Sequence, residues 1–273
     1  MGSLFTGSIV LFNNEASILN KAIQSFLNAT PYGILYLIDN SPTDDLKKIA
    51  TNDRVIYISN PSNPGFGASH NKAIDLAKTK NSKWHFIINP DTHFEGDVIT
   101  PMIRFMEEHP NVGMMMPQVL NNDGTIQFLP KLLPNILWII RRKLHKLDPR
   151  HQNFISKYEL RIVPEDKIYN SPLLSGCFNL MRLEAIEKVG GYDDNFFMYF
   201  EDFDLSRRMH AQYQTIYFPK VAVYHGYEGG ANKNLKLFRI FITSGFIYFN
   251  KWGWIFDKQR KKINKKTLEQ FGK

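Results

Sequence analysis

Residues 34–42 have the sequence ILYLIDNSP, an apolar run that ends in an acidic, turn-forming group. A continuous apolar run of this length is typical of a strand that is buried on both faces of a sheet. Similar runs occur before and after it: SIVLF at 8–12, VIYIS at 55–59 and WHFIIN at 84–89. Helical patterns separate them, with apolar residues at spacings of three and four over 18–27 and a second helix after a loop at 60–71. This alternation predicts an α/β fold with a mostly parallel sheet covered by helices.

The second half of the sequence has a different pattern. Residues 114–120 and 178–183 are predicted strands, and 184–191 is a predicted helix closed by glycine. TIYFPKVAVYH, at 215–225, predicts a pair of strands. The segment 121–170 has weak periodicity and is long for a plain connection, which is typical of functional or mobile loops.

Composition and charge exclude several classes of protein. The 273-residue chain has one cysteine, Cys177, which excludes a disulfide framework and a cysteine-rich zinc module, and its context predicts a small core residue. The N-terminus has no pattern of a signal peptide and no run approaches 18 apolar residues, so we expect a chain that is cytosolic or attached to a membrane from the cytosolic side.

The positive charge is concentrated at one end. Residues 231–273 contain eleven Lys or Arg and two acids, whereas the first 230 residues have a net charge of −1. A neutral body with a basic tail argues against nucleic acid as a partner and favours contact of one end with an anionic surface. We expect a domain over 1–230, with halves at about 1–117 and 118–230, followed by a basic, aromatic and amphipathic helical tail over 231–273.

Polar residues follow the predicted strands, where α/β sheets bind their ligands. They include Asn13, Asp39, the loop 63–71 and Asn89–Pro90–Asp91. Asp39 could accept hydrogen bonds from a nucleoside or could form a turn, because DNSP is good turn chemistry. The glycines of NPGFG could let a phosphate approach the backbone or form a plain tight turn. Asp91 could hold a metal ion or cap a turn.

Residues 197–208, with the sequence FMYFEDFDLSRR, place three carboxylates directly after an apolar cluster. Partial burial is expected to raise the pKa of Glu201, Asp202 or Asp204 and so to prepare a base. The same acids followed by Arg207–Arg208 also suit an ordinary helix N-terminus. His225, which ends the run VAVYH at 221–225, is by itself more typical of a structural histidine than of a ligand.

Seven motifs occur in an order that resembles family 2 glycosyltransferases of the GT-A fold. They are SIVLFNN, LIDNSP, NPGFGASHN, FIINPD, LSGCFNLMR, GGYDDNFFMYFEDFDLSRR and VAVYHG. NPD in place of D-x-D, with a later ED-x-D-L-x-x-R, resembles the bacterial rhamnosyltransferase-like branch. The resemblance runs from about residue 7 to about residue 255, outside 121–170. It implies a GT-A-type (Rossmann-like), mostly parallel sheet flanked by helices.

The resemblance implies how a nucleotide-sugar donor is bound. Asp39 would hold the pyrimidine base, and Asp91 would bind a divalent ion, Mg²⁺ or Mn²⁺, on the donor diphosphate. His225 would complete the ion's ligands, so we expect it to lie close to Asp91 in space. Asn89 stands where the family usually has its first Asp, which leaves one metal-binding carboxylate. The other residues expected to line the pocket are Phe12, Asn13, Asn63, Gly65, Gly67 and Asn71.

The resemblance also implies the reaction. Asp202 matches the general base, beside Glu201 and Asp204, and Arg208 would orient this acidic cluster. The expected activity is inverting transfer of a sugar, L-rhamnose from dTDP-rhamnose or a hexose from a UDP-sugar, to a hydroxyl of a lipid-linked cell-surface glycan. Residues 235–256 and the following lysines would contact the inner face of the bacterial membrane. Alternatively, the aromatic part packs on the domain and only the final charges are solvated.

Two rival classes of function are considered. An inert nucleotide-sugar or glycan-binding module would keep the fold without the chemistry, but Asp91, Asp202 and His225 are all present. An NAD-dependent dehydrogenase is disfavoured because the G-x-G lacks its third glycine and follows the wrong strand.

Overall fold

The computed structural model describes residues 5–144, 151–226 and 235–272. Within these ranges the chain forms one mixed sheet and a set of flanking helices. The strands are β1 (Phe5–Leu11), β2 (Ile34–Asp39), β3 (Val55–Ser59), β4 (Trp84–Ile88), β5 (Thr92–His93), β6 (Val112–Leu120), β7 (Tyr169–Asn170), β8 (Phe178–Arg182) and β9 (Gln214–His225). The α-helices are α1 (Ala16–Ala29), α2 (Phe66–Thr79), α3 (Ile99–Glu108), α4 (Ile136–Leu144), α5 (Gln152–Tyr158), α6 (Leu183–Val189), α7 (Glu201–Gln212), α8 (Leu235–Trp252) and α9 (Lys258–Glu269).

The strand order is β3-β2-β1-β4-β8-β6-β9-β5, with β7 paired to β9. Strands β1 to β4 are parallel to one another, β8 runs antiparallel between β4 and β6, and β6 is parallel to β9. Strands β1 to β4, β6 and β9 therefore all end at the same edge of the sheet, and β8 begins there. This edge collects residues from distant parts of the chain.

Burial on both faces explains the continuous apolar runs. In β1, Ile9 and Leu11 pack in the main core with Leu19 and Ile23 of α1, whereas Val10 packs on the opposite face in a second cluster with Ala73 of α2. Successive side chains of a strand point to opposite faces, so a strand between two helical layers needs apolar residues at every position. The predicted α/β fold with a mostly parallel sheet is confirmed.

Some predicted element boundaries differ from the structure. Helix α2 begins at Phe66, inside the segment 60–71 that we predicted as a loop, and the preceding Gly65 has a φ of +108°. The predicted pair of strands over 215–225 is wrong, because β9 is one strand. Phe218 pairs with Pro117 of β6, and Ala222 pairs with the next residue, Gln118. The three residues between Phe218 and Ala222 therefore have no partner in β6 and form a bulge. Pro219, which has no backbone N–H to donate to a ladder, lies in that bulge.

The C-terminal part forms two helices, separated at Gly253, which has a φ of +96°. One face of α8 is buried against a cluster that contains Phe196, Phe200 and Ile139. Helix α9 is capped by Asp257, whose carboxylate accepts a hydrogen bond from the Arg260 backbone N–H. The predicted domain boundary at 230–231 lies outside the described residues. No helix in the described ranges combines the length and the apolar character that crossing a bilayer requires.

A buried ion pair joins α9 to the rest of the fold. The Arg207 guanidinium lies 2.7 Å from Asp257 Oδ2, and both side chains are almost fully buried. The same guanidinium stacks 4.2 Å from the centre of the Trp252 ring and donates a hydrogen bond to Gln259. Side chains from α7, the end of α8 and the start of α9 therefore meet at one buried charge.

The substitution Asp257→Asn tests this junction. It leaves the Arg207 charge buried without its counter-ion, so we expect the free energy of unfolding to fall by about 3 to 5 kcal/mol. Glu269→Gln is the control, because it removes the exposed partner of Lys265, 3.8 Å away, and should change stability by less than about 0.5 kcal/mol. Denaturant unfolding measures both, and equal losses would contradict the assigned role.

Candidate active site

The residues predicted to bind a ligand gather at the edge where β1, β2, β3 and β4 end. Asn13 and Asp39 lie close to each other there, since the Asn13 N–H donates to Ser41 Oγ (2.8 Å) and the Ser41 N–H donates to Asp39 Oδ1 (2.9 Å). Tyr57 donates its hydroxyl to Asp39 Oδ2 at 2.7 Å. Asp39 therefore forms the turn that its sequence context favours. Each carboxylate oxygen still has a second lone pair for another donor.

The glycine-containing loop is held by the segment that precedes α7. A Cβ on Gly65 would lie 2.2 Å from the Phe197 carbonyl oxygen, and one on Gly67 would lie 2.7 Å from Tyr192 Cβ. Asn71 fastens the same two segments, because its side chain exchanges hydrogen bonds with the backbone of Tyr192 in both directions. Close packing against the chain's own residues therefore explains why glycine occupies both positions. Asn63, with a φ of +43°, makes the turn that leads into this contact.

Phe12 lies at the rim of the same edge. It directly follows β1, its side chain is half exposed, and its backbone N–H donates to Asn14. An exposed aromatic ring beside the turn of Asp39 has the apolar face on which a planar ligand can stack.

Asp91 and His225 lie together although 134 residues separate them in the sequence. Asp91 Oδ1 is 3.4 Å from His225 Nε2, and Asn89 Nδ2 is 3.2 Å from the same nitrogen. Pairing of β5 with β9 brings them together, because Thr92 is opposite His225. The predicted proximity of Asp91 and His225 is confirmed.

Gln127 determines how His225 faces this pair. Its amide nitrogen donates to the His225 carbonyl and to Asn121, so its amide oxygen faces His225 Nδ1, 3.1 Å away. This arrangement assigns the proton of the neutral imidazole to Nδ1 and leaves the lone pair on Nε2, towards Asp91. Nε2 then accepts a hydrogen bond from the Asn89 amide and lies beside Asp91 Oδ1, so a cation shared by these two atoms would replace the amide contact.

The electrostatics of Asp91 suit a cation. Burial tends to raise the pKa of Asp91, but a hydrogen bond and charge at His225, present when the imidazole carries a second proton, outweigh it and hold that pKa below its ordinary value. Two ligands bound at right angles about 2.1 Å from one Mg²⁺ ion lie about 3 Å apart, close to the observed spacing. In the part of the chain that the structure describes, no group of three or more acidic, histidine or cysteine side chains could bind one ion. The described residues thus offer a site with two ligands, Asp91 and His225.

Helix α7 begins with two carboxylates in different environments. Glu201 is buried, and its Oε2 has no hydrogen-bond partner among the described residues. Burial, followed by the charge of Asp202, raises the pKa of Glu201 well above its ordinary value. Burial also raises the pKa of Asp202, although the hydrogen bonds from Gly176 and Phe203 and the charge of Lys131 lower it in part. The predicted raising of carboxylate pKa values is confirmed for these two residues.

Asp204 and Arg208 form a structural connection. One oxygen of Asp204 accepts from Arg208 Nε at 2.8 Å, and the other accepts from Trp252 Nε1 at 2.8 Å and lies 2.9 Å from Lys251 Nζ. Arg208 also donates to the carbonyls of Val189, Gly190 and Gly191. Because both oxygens of the fully buried Asp204 are engaged, it joins α7 to α8 and is not our candidate for the base.

Two consecutive residues, Gly176 and Cys177, connect the carboxylates. The Gly176 N–H donates to Asp202 Oδ2 at 3.1 Å, and the Cys177 carbonyl accepts from the Asn89 N–H at 2.8 Å. Burial raises the pKa of the Cys177 thiol to about 12, and the charges of both Asp91 and Asp202 contribute. Cys177 is a buried free cysteine, as predicted. Asp91 and Asp202 therefore flank the same dipeptide.

Three residues of the site were not predicted from the sequence: Gln127, Lys131 and Gly176. Lys131 is buried, its ammonium donates to the Phe128 and Leu129 carbonyls, and burial lowers its pKa to about 8. Gln127 and Lys131 lie in the segment 121–170, which has weak periodicity and no recognisable motif. Gly176 lies inside the quoted motif LSGCFNLMR, which was the one available signal.

The chain is similar in sequence to a known family and to named proteins. The model of the family described as "Glycosyl transferase family 2" matches residues 8–190. The chain is 27% identical over 224 residues to the N-acetylglucosaminyl-diphospho-decaprenol L-rhamnosyltransferase of Mycobacterium tuberculosis, covering 76% of this chain and 71% of that protein. It is 22% identical to the rhamnosyltransferase WbbL of Escherichia coli, covering 88% of this chain and 90% of that protein.

Two solved structures have the same fold. One, described as GalNAc-T7 with UDP, GalNAc and Mn²⁺, superposes with a TM-score of 0.62 at 17% identity and covers 82% of this chain. The other, Staphylococcus aureus TarS, has a TM-score of 0.59 at 12% identity and covers 98% of this chain. The chain spans less than half the length of each, 44% and 43%. At these identities the likeness concerns the fold alone.

The burial of Glu201 predicts a specific pH dependence of stability. Because its folded-state pKa is raised, the native protein holds a proton that the unfolded chain loses above about pH 4.3, so stability falls as pH rises through the folded pKa. Glu201→Gln cannot lose a proton, and we expect its melting temperature relative to the parent to increase between pH 5 and pH 8. The exposed Glu108→Gln is the control, with a pH-independent difference. A constant difference for Glu201→Gln would contradict this electrostatic analysis.

Proposed function

The chain belongs to glycosyl transferase family 2, and on that premise we propose that it transfers L-rhamnose from dTDP-rhamnose to a hydroxyl of a lipid-linked cell-surface glycan, with inversion at the sugar carbon. The names of the two relatives support rhamnose as the sugar, and that of the mycobacterial relative supports a polyprenyl-diphosphate acceptor. A UDP-hexose is the alternative donor.

One observation carries the proposal: Asp202 and the Asp91–His225 pair flank the dipeptide Gly176–Cys177. A displacement of this kind needs a base for the attacking hydroxyl and positive charge beside the departing diphosphate. The base must be negatively charged, whereas positive charge is needed beside the diphosphate. Two separate groups must therefore be held at a short, fixed distance from each other. The Gly176 N–H donates to Asp202, and the Cys177 carbonyl accepts from the N–H of Asn89, two residues before Asp91, so one dipeptide links the two groups.

We assign the base to Asp202. Its Oδ2 is oriented by the Gly176 N–H, and burial raises its pKa towards neutrality, where a carboxylate takes up a proton more readily. Burial and the charge of Asp202 raise the pKa of the neighbouring Glu201 well above its ordinary value, which favours its protonated form, and the charge of Lys131 opposes the rise in the pKa of Asp202. The acceptor hydroxyl oxygen bonds to the sugar carbon, its proton passes to Asp202, and the nucleoside diphosphate departs from the opposite side of that carbon.

Asp91 and His225 are proposed to hold a divalent cation with the donor diphosphate. The donor set of one carboxylate and one imidazole Nε2, 3.4 Å apart, fits such an ion. When bound, the ion would supply Lewis-acid stabilisation of the leaving diphosphate. Gln127 faces His225 Nδ1 and so holds the imidazole in the required tautomer. Asn89 Nδ2 lies 3.2 Å from the other ring nitrogen, Nε2. With two ligands from the chain, we expect weak ion binding in the absence of nucleotide.

The donor nucleotide is proposed to lie across Phe12, Asn13 and Asp39, with its base towards the Asp39 turn. The contacts of Gly65 and Gly67 with the segment before α7 keep the neighbouring loop closed against the site. Asn71 fixes that segment and so positions α7 with its Asp202. Asn63 supports the same loop through its positive φ.

Attachment to the inner face of the bacterial membrane is part of the proposal. Helix α9 exposes five lysines, at positions 258, 261, 262, 265 and 266. Helix α8 exposes Phe238, Ile242 and Phe246 along one stripe, and Phe256 beyond its end is 89% exposed. Apolar side chains flanked by lysines suit the boundary between acyl chains and anionic head groups. Asn264 of α9 is hydrogen-bonded to Leu133, so α9 is also part of the fold.

Asp202→Asn tests the base. It preserves shape but cannot take a proton, so we expect turnover to fall by roughly 10² to 10⁴-fold while donor binding persists. The exposed Asp75→Asn is the matched control and should keep full turnover. Asp204→Asn should lower the melting temperature first, because it loosens the junction with α8. Near-native turnover of Asp202→Asn would show that the base is another group.

Thermal-shift measurements test the donor site. We expect dTDP with Mg²⁺ or Mn²⁺ to stabilise the protein by about 2.7 kcal/mol at 100 times its dissociation constant, and by more than UDP or GDP at the same concentration and with the same ion. The gain from the ion should disappear in Asp91→Asn and persist in Asp75→Asn. A larger shift with UDP would transfer the assignment to a UDP-hexose donor, and an unchanged ion effect in Asp91→Asn would refute the metal site.

A further inference from the structure

A cavity of about 490 Å³ opens between the first half of α8 and the loop that precedes α7. Its volume is within the range typical of small-molecule sites. Four apolar and five polar residues line the cavity, and two of the polar ones are cationic. The lining residues used below are Phe197, Leu235, Lys236, Arg239, Ile240 and Ile247.

The cavity lies next to the candidate active site. Phe197 lines the cavity with its side chain, while its carbonyl accepts a hydrogen bond from the Phe66 N–H at the start of α2. The loop continues from Phe197 into Asp202 within five residues. Ser244 of α8 fastens the other side by donating to the Met198 carbonyl. One short loop therefore separates the cavity from the catalytic carboxylate.

The cavity also opens towards the exposed apolar stripe of α8. Leu235 lines the cavity and is 66% exposed, and Phe238, Ile242 and Phe246 follow it at spacings of three, four and four residues. These spacings place the four side chains on one face of the helix. An apolar path thus leads from the cavity along the surface that we propose to contact the membrane.

We propose that this cavity binds the diphosphate and the first isoprenyl units of a polyprenyl-diphosphate-linked acceptor. This rests on the function proposed above and specifies where its acceptor binds. Lys236 and Arg239 pair with the diphosphate, the aliphatic wall covers the isoprenyl units, and the rest of the lipid follows the stripe into the bilayer. The glycan, on the other side of the diphosphate, then extends over the Phe197 loop towards Asp202.

The combination of side chains favours this occupant over simpler ones. A free phosphate would use the two cations but not the aliphatic wall, and a bilayer surface would need no concavity. A nucleotide has its own candidate site on the far side of the Phe197 loop, at Asp39 and Asp91. An anionic ester of a long apolar chain uses every part of the cavity.

The test uses farnesyl diphosphate as a soluble probe, with its binding to the full-length protein measured by calorimetry. We expect Lys236→Gln combined with Arg239→Gln to weaken binding at least about tenfold, because hydrogen bonds to charged groups contribute strongly. The control, Lys261→Gln with Lys265→Gln, removes the same charge from exposed positions on α9. It should leave farnesyl diphosphate binding unchanged and lower co-sedimentation with anionic vesicles. Leu235→Ser, at an exposed position, should weaken binding of farnesyl diphosphate but not of inorganic diphosphate.

Three results would overturn the proposal: no binding of farnesyl diphosphate, equal loss in the α9 control, or displacement of the probe by dTDP. Failure of the proposed function gives a different result. If the protein transfers no sugar but still binds farnesyl diphosphate, and the Lys236 and Arg239 variant still weakens that binding, the activity is refuted and the lipid site stands. If transfer occurs, the acceptor KM should rise in the Lys236 and Arg239 variant while the donor KM stays constant. A constant acceptor KM would refute the site and leave the activity.

Discussion

The close packing of α2 against the segment 191–197 is the constraint on which the site depends. Side chains are excluded at three positions: a Cβ on Gly65, Gly67 or Gly191 would approach its neighbour to between 2.2 and 2.7 Å. Because the backbones touch, the start of α7 is fixed relative to the loops that follow β1 to β4. Asn71 and Arg208 fasten the segment from its two sides, through Tyr192 and through the carbonyls of 189–191. Asp202, the proposed base, is thus positioned by contacts made several residues away.

Three carboxylates within four residues have three different roles because their environments differ. Asp204 meets Arg208, Lys251 and the Trp252 indole, so it forms a buried connection between helices. Glu201 Oε2 has no hydrogen-bond partner among the described residues, and burial raises the pKa of Glu201 well above its ordinary value. Asp202 accepts hydrogen bonds from the backbone N–H groups of Gly176 and Phe203, and these bonds and the charge of Lys131 oppose the rise in its pKa that burial causes. Of the three carboxylates, Asp202 is therefore the one stabilised as an anion without an ion pair to another helix, as the proposed base requires.

Helix α8 connects the site to the surroundings through three different faces. Its buried face packs on Phe200 and supports the start of α7. A second face lines the cavity beside Phe197, and a third exposes aromatic and aliphatic residues. A helix with only one apolar face would either pack on the domain or contact a membrane. The wider apolar surface of α8 allows both, which explains why the segment is so rich in aromatic residues.

The sequence by itself predicted the strands and helices of the first ninety residues apart from the start of α2, and it indicated the acid after β2 and the three carboxylates at the start of α7. These features depend on apolar periodicity and on neighbouring residues, which are local. The tertiary structure decided which acid is free to act, and it brought Gln127, Lys131 and Gly176 to the site. Those contacts join residues far apart, such as Gln127 and His225 at a separation of 98 residues. No local pattern encodes such a pairing, because it arises only when the ends of β4, β6 and β9 meet at one edge of the sheet.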